Sequence, residues 1–286
     1  MTDQPRPDVL PEVASWLRRR SWTAADRPVE HLLAAKRAAG PDGTVSVVLP
    51  ALDEEPTVGE IVTRIREELM ERLPLVDELV VVDSGSVDRT AETARAAGAR
   101  VVHRDDLLPR VAAAPGKGEV LWRSLLATSG AIVCFVDADL REFDPALVSG
   151  IVGPLLTDPG IQLVKAMYDR PLETQGAVVP AGGGRVTELV ARPLLNLHWP
   201  QLAGFVQPLG ASTRRGAACW SGCPSRPATG SSWDCWWTRW RRSGSTRWPR
   251  WTWVCGTTGT RTGRHSAGWR RRSTAPRWNG WTAATG

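Results

Sequence analysis

The sequence predicts an α/β domain built on a mostly parallel sheet with helices on both faces. Three observations predict it. Short runs rich in valine and isoleucine alternate with longer helical patterns, each run closes in a polar loop, and glycine-flanked loops lead into helices. Near-continuous apolar runs, rather than alternating ones, are what strands buried on both faces require.

The elements follow in order. Residues 1–43 read as an irregular, partly helical arm, in which "VEHLLAAKRAAG" stops on glycine. "TVSVVLPALDEE" gives a strand and an acidic loop, followed by the helical pattern "TVGEIVTRIREELMERL". "DELVVVDSGSVDRT" repeats the scheme and passes into the helix "AETARAAGA"; "RVVHR" is a third strand. "PGKGEVLWRSLLAT" is a glycine-flanked loop entering a helix, and "AIVCFVDADL" is a fourth strand that ends in acids. In open sheets of this kind ligands bind outside the carboxyl ends of the strands. Asp53 to Glu55, Asp83 to Ser86 and Asp137 to Asp139 all fall there.

Composition divides the chain near residue 210. Of 286 residues, the last 76 hold 14 Arg, no Lys and one acid, Asp234, whereas the first 210 carry 22 basic groups against 29 acidic ones. The net charge of +6 therefore belongs to the tail, over an acidic body. The body has one cysteine, Cys134, which fits a reducing cytoplasm. No apolar run approaches the ~18–20 residues that span a bilayer, so the chain is read as soluble and cytoplasmic, with no membrane partner.

The tail is unlike a protein core. Eleven of the fifteen tryptophans lie in residues 211–286, and no leucine does. Cys219, Cys223, Cys235 and Cys255 lack the short paired spacing of zinc modules. Arginine with tryptophan could bind single-stranded nucleic acid by charge and stacking, but another reading explains more. Trp has the single codon TGG, which the leucine codon CTG followed by G contains. Back-translated and read from the third base, "ATGSSWDCWWTRW" becomes compatible with an amphipathic segment containing Glu-Leu-Gly-Leu-Leu-Val-Asp. "ASTRR" becomes compatible with Glu-Tyr-Ala-Ala-Arg. Residues 211–286 are accordingly expected to be a frameshifted translation, disordered or unreliable as structure. The expected organisation is an arm over 1–43, an incomplete nucleotide-sugar and acceptor-binding domain over 44–210, and this tail.

Chemistry concentrates in three places. "VDADL" offers Asp137 and Asp139, hard oxygen ligands suited to Mg2+ or Mn2+ holding a diphosphate. "PGKGE" sets Lys117 between glycines before a helix, where backbone, helix dipole and ammonium can meet an anion; it lacks the Walker spacing. "AGGGRVTELVARPLL" repeats that logic. Arg185 can fork onto a carboxylate or phosphate, and Thr187 can cap the helix or donate to the same anion. Each has a plain alternative: a solvated strand-end turn, a flexible loop with a solvated lysine, a glycine linker. Asp137, Asp139 and Lys117 are the candidates to carry the chemistry. A lone His103, a lone His198 and Cys134 read as structural.

Taken together, "VSVVLPALDEE", "VVVDSGSVDRT", "PGKGEVLWRSL", "FVDADL", "LVKAMYDRPL", "GGGRVTELVARPLL" and "QPLG" resemble the glucosyl-3-phosphoglycerate synthase family, retaining glycosyltransferases of the Rossmann-like GT-A fold. The resemblance covers about residues 44–210, and the third-base frame is compatible with the family's next segments. It implies transfer of glucose from UDP-glucose to the 2-hydroxyl of 3-phosphoglycerate, with the α-configuration kept, a step towards methylglucose lipopolysaccharides. It further implies that Pro50, Ala51, Leu52 and Glu54 hold the uridine, with Ser84 beside it. Lys117 would meet the diphosphate side, Asp137 the donor sugar or ribose, and Asp139 the metal. Gly184, Arg185 and Thr187 would receive the phosphoglycerate. The family's acid in "GVE" and its metal-binding histidine would fall near Ser232 and Thr258–Thr260, inside the shifted frame. The family's homodimer is doubtful here for the same reason, and the chain as written is expected to be inactive or poorly folded. Three alternatives stay open: a related transferase with another acceptor, such as a polyprenyl phosphate or glycerate, a non-enzymatic basic tryptophan- and arginine-rich tail that binds nucleic acid, and a sugar-phosphate nucleotidyltransferase. The acidic "LPALDEE" disfavours the last.

Overall fold

The computed structural model describes residues 11–167, 172–174, 177–179, 185–199, 202, 204–215 and 252–257. After helix α1 (Pro11–Arg20) and the short strand β1 (Ser21–Thr23) come α2 (Val29–Ala39), β2 (Val45–Ala51), α3 (Glu55–Ile65), β3 (Glu78–Asp83), α4 (Thr90–Ala96) and β4 (Arg100–His103). Then follow α5 (Lys117–Ser124), β5 (Ile132–Phe135), α6 (Ala146–Thr157), β6 (Ile161–Met167) and a small pair, β7 (Leu172–Thr174) with β8 (Ala177–Val179). Helix α7 (Arg192–His198), β9 (Ser212–Arg215) and β10 (Thr252–Thr257) complete the described elements. The four strands and the helices expected between residues 45 and 135 are present, within the usual latitude at their ends.

The main sheet has eight strands in the order β1-β10-β6-β9-β5-β2-β3-β4. All its neighbours run parallel except β9, which is antiparallel to both β5 and β6. Strands from both flanks therefore join the sheet: β1 from the arm, β9 and β10 from beyond residue 210. Leu32 of α2 is also fully buried in the core, facing α6 at Gly153.

Alternation along each strand divides the core in two. Val47, Leu49 and Val81 face the larger cluster with Val58, Ile61, Ile151 and Leu155, whereas Val48, Val80 and Val82 face a smaller one with Val120 and Ala127. Each such side chain contributes about 1.5–3 kcal/mol by leaving water. Helix α6, "ALVSGIVGPLLT", is buried from Leu147 through Leu156 and so shows no polar face.

The sheet opens where the site lies. Pairing of β2 with β5 ends at Val48↔Phe135, while pairing of β2 with β3 continues to Ala51↔Asp83. Val136 N–H donates to the Val48 carbonyl at 3.0 Å, and Pro50, two residues on, points its missing N–H to that same vacated side. A proline thus sits in a central strand at no cost to the ladder. Strand order also changes direction between β2 and β5, and such a switch point is where α/β sheets bind ligands.

Candidate functional site

A cleft of about 260 Å3 occupies this switch point. Its lining includes Pro50, Ala51, Leu52 and Glu54 from the end of β2, Ser84 after β3, Lys117 at the start of α5, and Asp137 and Asp139 after β5. All eight residues proposed from the sequence for the donor and metal are brought together. Ala138, Arg104, Gly116 and Val120 line it as well.

Two loops are zipped together where β2 and β3 end at the cleft. Asp53 adopts φ 56°, a left-handed conformation rare outside glycine. Its N–H donates to Ser86 Oγ at 3.0 Å and its Oδ1 accepts from Val87 N–H at 2.8 Å. Glu54 N–H donates to Thr90 Oγ1 at 2.8 Å, and Thr90 is wholly buried. Ser84 N–H donates to the Ala51 carbonyl at 3.0 Å. These bonds arrange Leu52, Glu54 and Ser84 before any ligand arrives, which lowers the cost of binding.

The acids lie beyond the strand. β5 ends at Phe135, so Asp137 and Asp139 follow the strand rather than forming its end. Thr57 Oγ1 donates to the Ala138 carbonyl at 2.7 Å and fixes that segment against α3. Lys117 Nζ donates to Asp137 Oδ1 at 2.6 Å. Burial, then the charges of Asp139 and Asp88, hold the Glu54 carboxyl above its ordinary range, with Lys117 opposing. The floor of the cleft thus has an excess of negative charge.

That excess fits a divalent cation. Asp139 and Asp137 are the groups that would hold it, and Mg2+ commonly takes one or two carboxylates with phosphate oxygens and water. Among the described residues no cluster of three or more metal-ligating side chains occurs.

Helix α5 begins at Lys117, with Gly116 as its cap at φ 109° and ψ 157°, a region only glycine adopts readily. The glycine turn into a helix read from "PGKGE" is thus present. Arg104, which sequence reading missed, pairs its guanidinium with Asp105 at 2.9 and 3.3 Å. Its position directly after β4 was the available signal, since it too lies at a strand's carboxyl end.

The residues read as a second anion cradle are not gathered on this cleft. Gly184 lies outside the described residues. Arg185 is exposed, and Thr187 is buried within the helical turn that opens at residue 185 rather than capping it; neither is among the residues lining the cleft. Cys134 is buried and its thiol is pushed up to about 12 by desolvation, as packing rather than chemistry requires. His103 accepts from the Asp105 N–H through Nδ1 at 3.2 Å. No described helix is long and apolar enough to cross a membrane.

A mostly parallel sheet with a cleft of carboxylates, a lysine and a glycine at its switch point gives this chain the GT-A fold. The model of glycosyl transferase family 2 matches residues 46–215, more than half of the chain, and the chain belongs to that family. It is 55% identical over 195 residues to a glucosyl-3-phosphoglycerate synthase of Mycolicibacterium smegmatis, covering 68% of this chain and 62% of that one. It is 48% identical over 227 residues to the Mycobacterium tuberculosis enzyme of the same name, covering 78% and 66%. The chain thus spans somewhat less than two thirds of these relatives' lengths. Among solved structures, a Rubrobacter xylanophilus mannosyl-3-phosphoglycerate synthase matches with TM-score 0.74 and 39% identity, over 89% of this chain and 76% of that one. A glucosyl-3-phosphoglycerate synthase of M. tuberculosis, solved with Mn2+, UDP-glucose and phosphoglyceric acid, matches with TM-score 0.67 and 42% identity, over 84% and 77%.

Proposed function

We propose that this chain carries the donor half of a glucosyl-3-phosphoglycerate synthase, binding UDP-glucose with Mg2+ or Mn2+ for glucose transfer to 3-phosphoglycerate in the cytoplasm. The observation that carries it is the gathering of Pro50, Ala51, Leu52, Glu54, Ser84, Lys117, Asp137 and Asp139 on one cleft. Relatives of this name at 48–55% identity support the assignment of donor and acceptor.

In this reading Leu52, about half exposed, offers an apolar surface to the uracil, and the latched backbone of residues 51–54 with Ser84 orients the nucleoside. Lys117 and the first turn of α5 face the diphosphate, whose negative charge grows as UDP departs. Lys117 already rests on Asp137, so donor binding exchanges one anion for another. Asp139 would hold the metal, which would supply positive charge to offset the diphosphate. Arg185 and Thr187, with Gly184, receive the phosphate of the acceptor, whose hydroxyl attacks the face from which UDP leaves. The sugar keeps its α-configuration.

Residues 211–286 are proposed to be a shifted reading frame. The family match ends at residue 215, and the acid and the histidine that the resemblance expects fall beyond it. The chain as written therefore binds UDP while transferring glucose poorly. The experiment compares it with a version whose frame is restored at codon 211, using UDP-glucose, 3-phosphoglycerate and Mg2+. Transfer by the restored chain, with little by the original, is expected. No transfer by the restored chain would overturn the function, and ordinary turnover by the original would overturn the frameshift.

One observation favours a second reading: the mannosyl-3-phosphoglycerate synthase likeness leaves the donor sugar open. A mannose nucleotide in the same assay separates the two.

A further inference from the structure

Helix α5 carries a second charged feature, turned away from solvent. Glu119 and Arg123 are 1% and 0% exposed, and Arg123 Nε donates to Glu119 Oε1 at 2.8 Å. Burying such a pair is poor design for stability alone, because each ion loses its hydration and apolar residues of similar volume often do better. What distinguishes this pair is where the rest of the guanidinium goes.

Arg123 Nη2 donates to the Val111 carbonyl at 2.6 Å, and Nη1 reaches the carbonyls of Leu108 at 3.3 Å and Arg104 at 3.5 Å. All three acceptors lie in the segment 104–116, where the only helical turn is Arg104–Leu107. Both ends of that segment line the cleft, Arg104 at one and Gly116 at the other, with Lys117 next to it. The chain therefore forms a closed ring. It runs from Arg104 through the loop to Lys117, along α5 to Arg123, and back through hydrogen bonds to the loop. Glu119, one turn before Arg123, orients the guanidinium, while its Oε2 is buried without a hydrogen-bond partner.

We infer that Arg123, oriented by Glu119, is a positioning residue for the nucleotide diphosphate: it fixes the 104–116 loop so that Arg104 and Lys117 present their charges to the same anion. This rests on the donor reading above and adds to it a residue that touches no ligand. Arginine is the suitable side chain, because its planar fork reaches a carboxylate and several carbonyls at once, whereas lysine has one compact ammonium. The pair holds together a loop with little regular structure of its own.

The test measures UDP affinity by calorimetry in the presence of Mg2+, melting temperature, and amide hydrogen exchange in the full chain. Arg123→Met alone leaves Glu119 charged and buried, so a folding defect is expected of it. The double variant Glu119→Leu/Arg123→Met removes both charges and keeps the fold testable, and Arg123→Lys restores charge without the fork. The double variant is expected to melt near the parent temperature, with faster exchange confined to residues 104–116. Its UDP affinity is expected to fall about tenfold or more, the order of one lost charge-assisted hydrogen bond to the anion. Arg123→Lys is expected to fall between the two. Unchanged UDP affinity in the double variant, or exchange that rises uniformly through β2, β3 and β5, would overturn the inference. A parent chain that binds no UDP would count against the donor reading, while exchange in the loop would still decide whether Arg123 holds it.

Discussion

Lys117 and Asp137 lie twenty residues apart and meet at 2.6 Å, an ammonium on a helix start against a carboxylate just past a strand. The contact joins the two sequence motifs with the clearest chemistry, and it leaves Lys117 about half exposed. In the proposed donor complex the diphosphate competes with Asp137 for that ammonium. Lys117→Met is expected to weaken UDP binding about 10- to 100-fold, since a charge-assisted hydrogen bond contributes ~1.5–3 kcal/mol. The melting temperature should change less than the affinity, because Lys117 is about half exposed, although Asp137 is only 18% exposed. Calorimetric titration with UDP and Mg2+ checks both points.

Glu54 gives a prediction with a pH sign. Its carboxyl is held above the ordinary range by burial and by the Asp139 charge. The folded chain therefore binds this proton more tightly than the unfolded one, and stability is lost as pH rises through the unfolded and then the folded pKa. At neutral pH the full penalty is present. Glu54→Gln should raise the melting temperature of the ligand-free chain at pH 7, and the gain should vanish in acid, where both states carry the proton. The same variant should bind UDP less well. A melting series from acid to neutral pH tests the sign.

Gly116 joins loop conformation to binding. Nothing lies within 4 Å of a Cβ placed there, so sterics do not forbid a side chain. The backbone does: φ 109° with ψ 157° is strained for alanine by about 1–3 kcal/mol. Gly116→Ala should shift the entry to α5 and reduce UDP affinity more than it lowers the melting temperature. Equal losses in the two measurements would show that the turn serves folding only.

Gly130 isolates packing from binding. A Cβ there would lie 2.6 Å from both the backbone nitrogen and the Oγ of Ser46, which is itself fully buried. Gly130→Ala should therefore destabilise by about 1–3 kcal/mol, the usual cost of overfilling a packed site. It lies at the amino end of β5, away from the cleft. UDP affinity of the folded fraction should be unchanged, as thermal melting alongside titration would show.

How legible each part was follows from its physics. β2, β3 and β5 stood out because parallel strands covered on both faces must be continuously apolar. Helix α6 did not: buried on all sides, "ALVSGIVGPLLT" has no polar stripe for a helical period to reveal. Strand β6 was visible as part of a family motif and not as a strand, and the antiparallel β9 came from the region whose sequence looks least like protein. The acids of "VDADL" line the cleft, but from beyond the strand rather than from an extended one.

By itself the sequence determined the layered α/β class, the chemical kinds of group at the strand ends and the change of character near residue 210, because these depend on local pattern and composition. Only the tertiary structure decided which strand ends meet. Strand order is set by long-range pairing, and it opened the sheet between β2 and β5 so that Glu54, Lys117 and Asp139 share one cleft. Arg104 entered that cleft, and Arg123 went beneath the loop that carries it, for the same reason. A cation's task depends on which oxygens surround it, and those oxygens come from segments that adjoin only after folding.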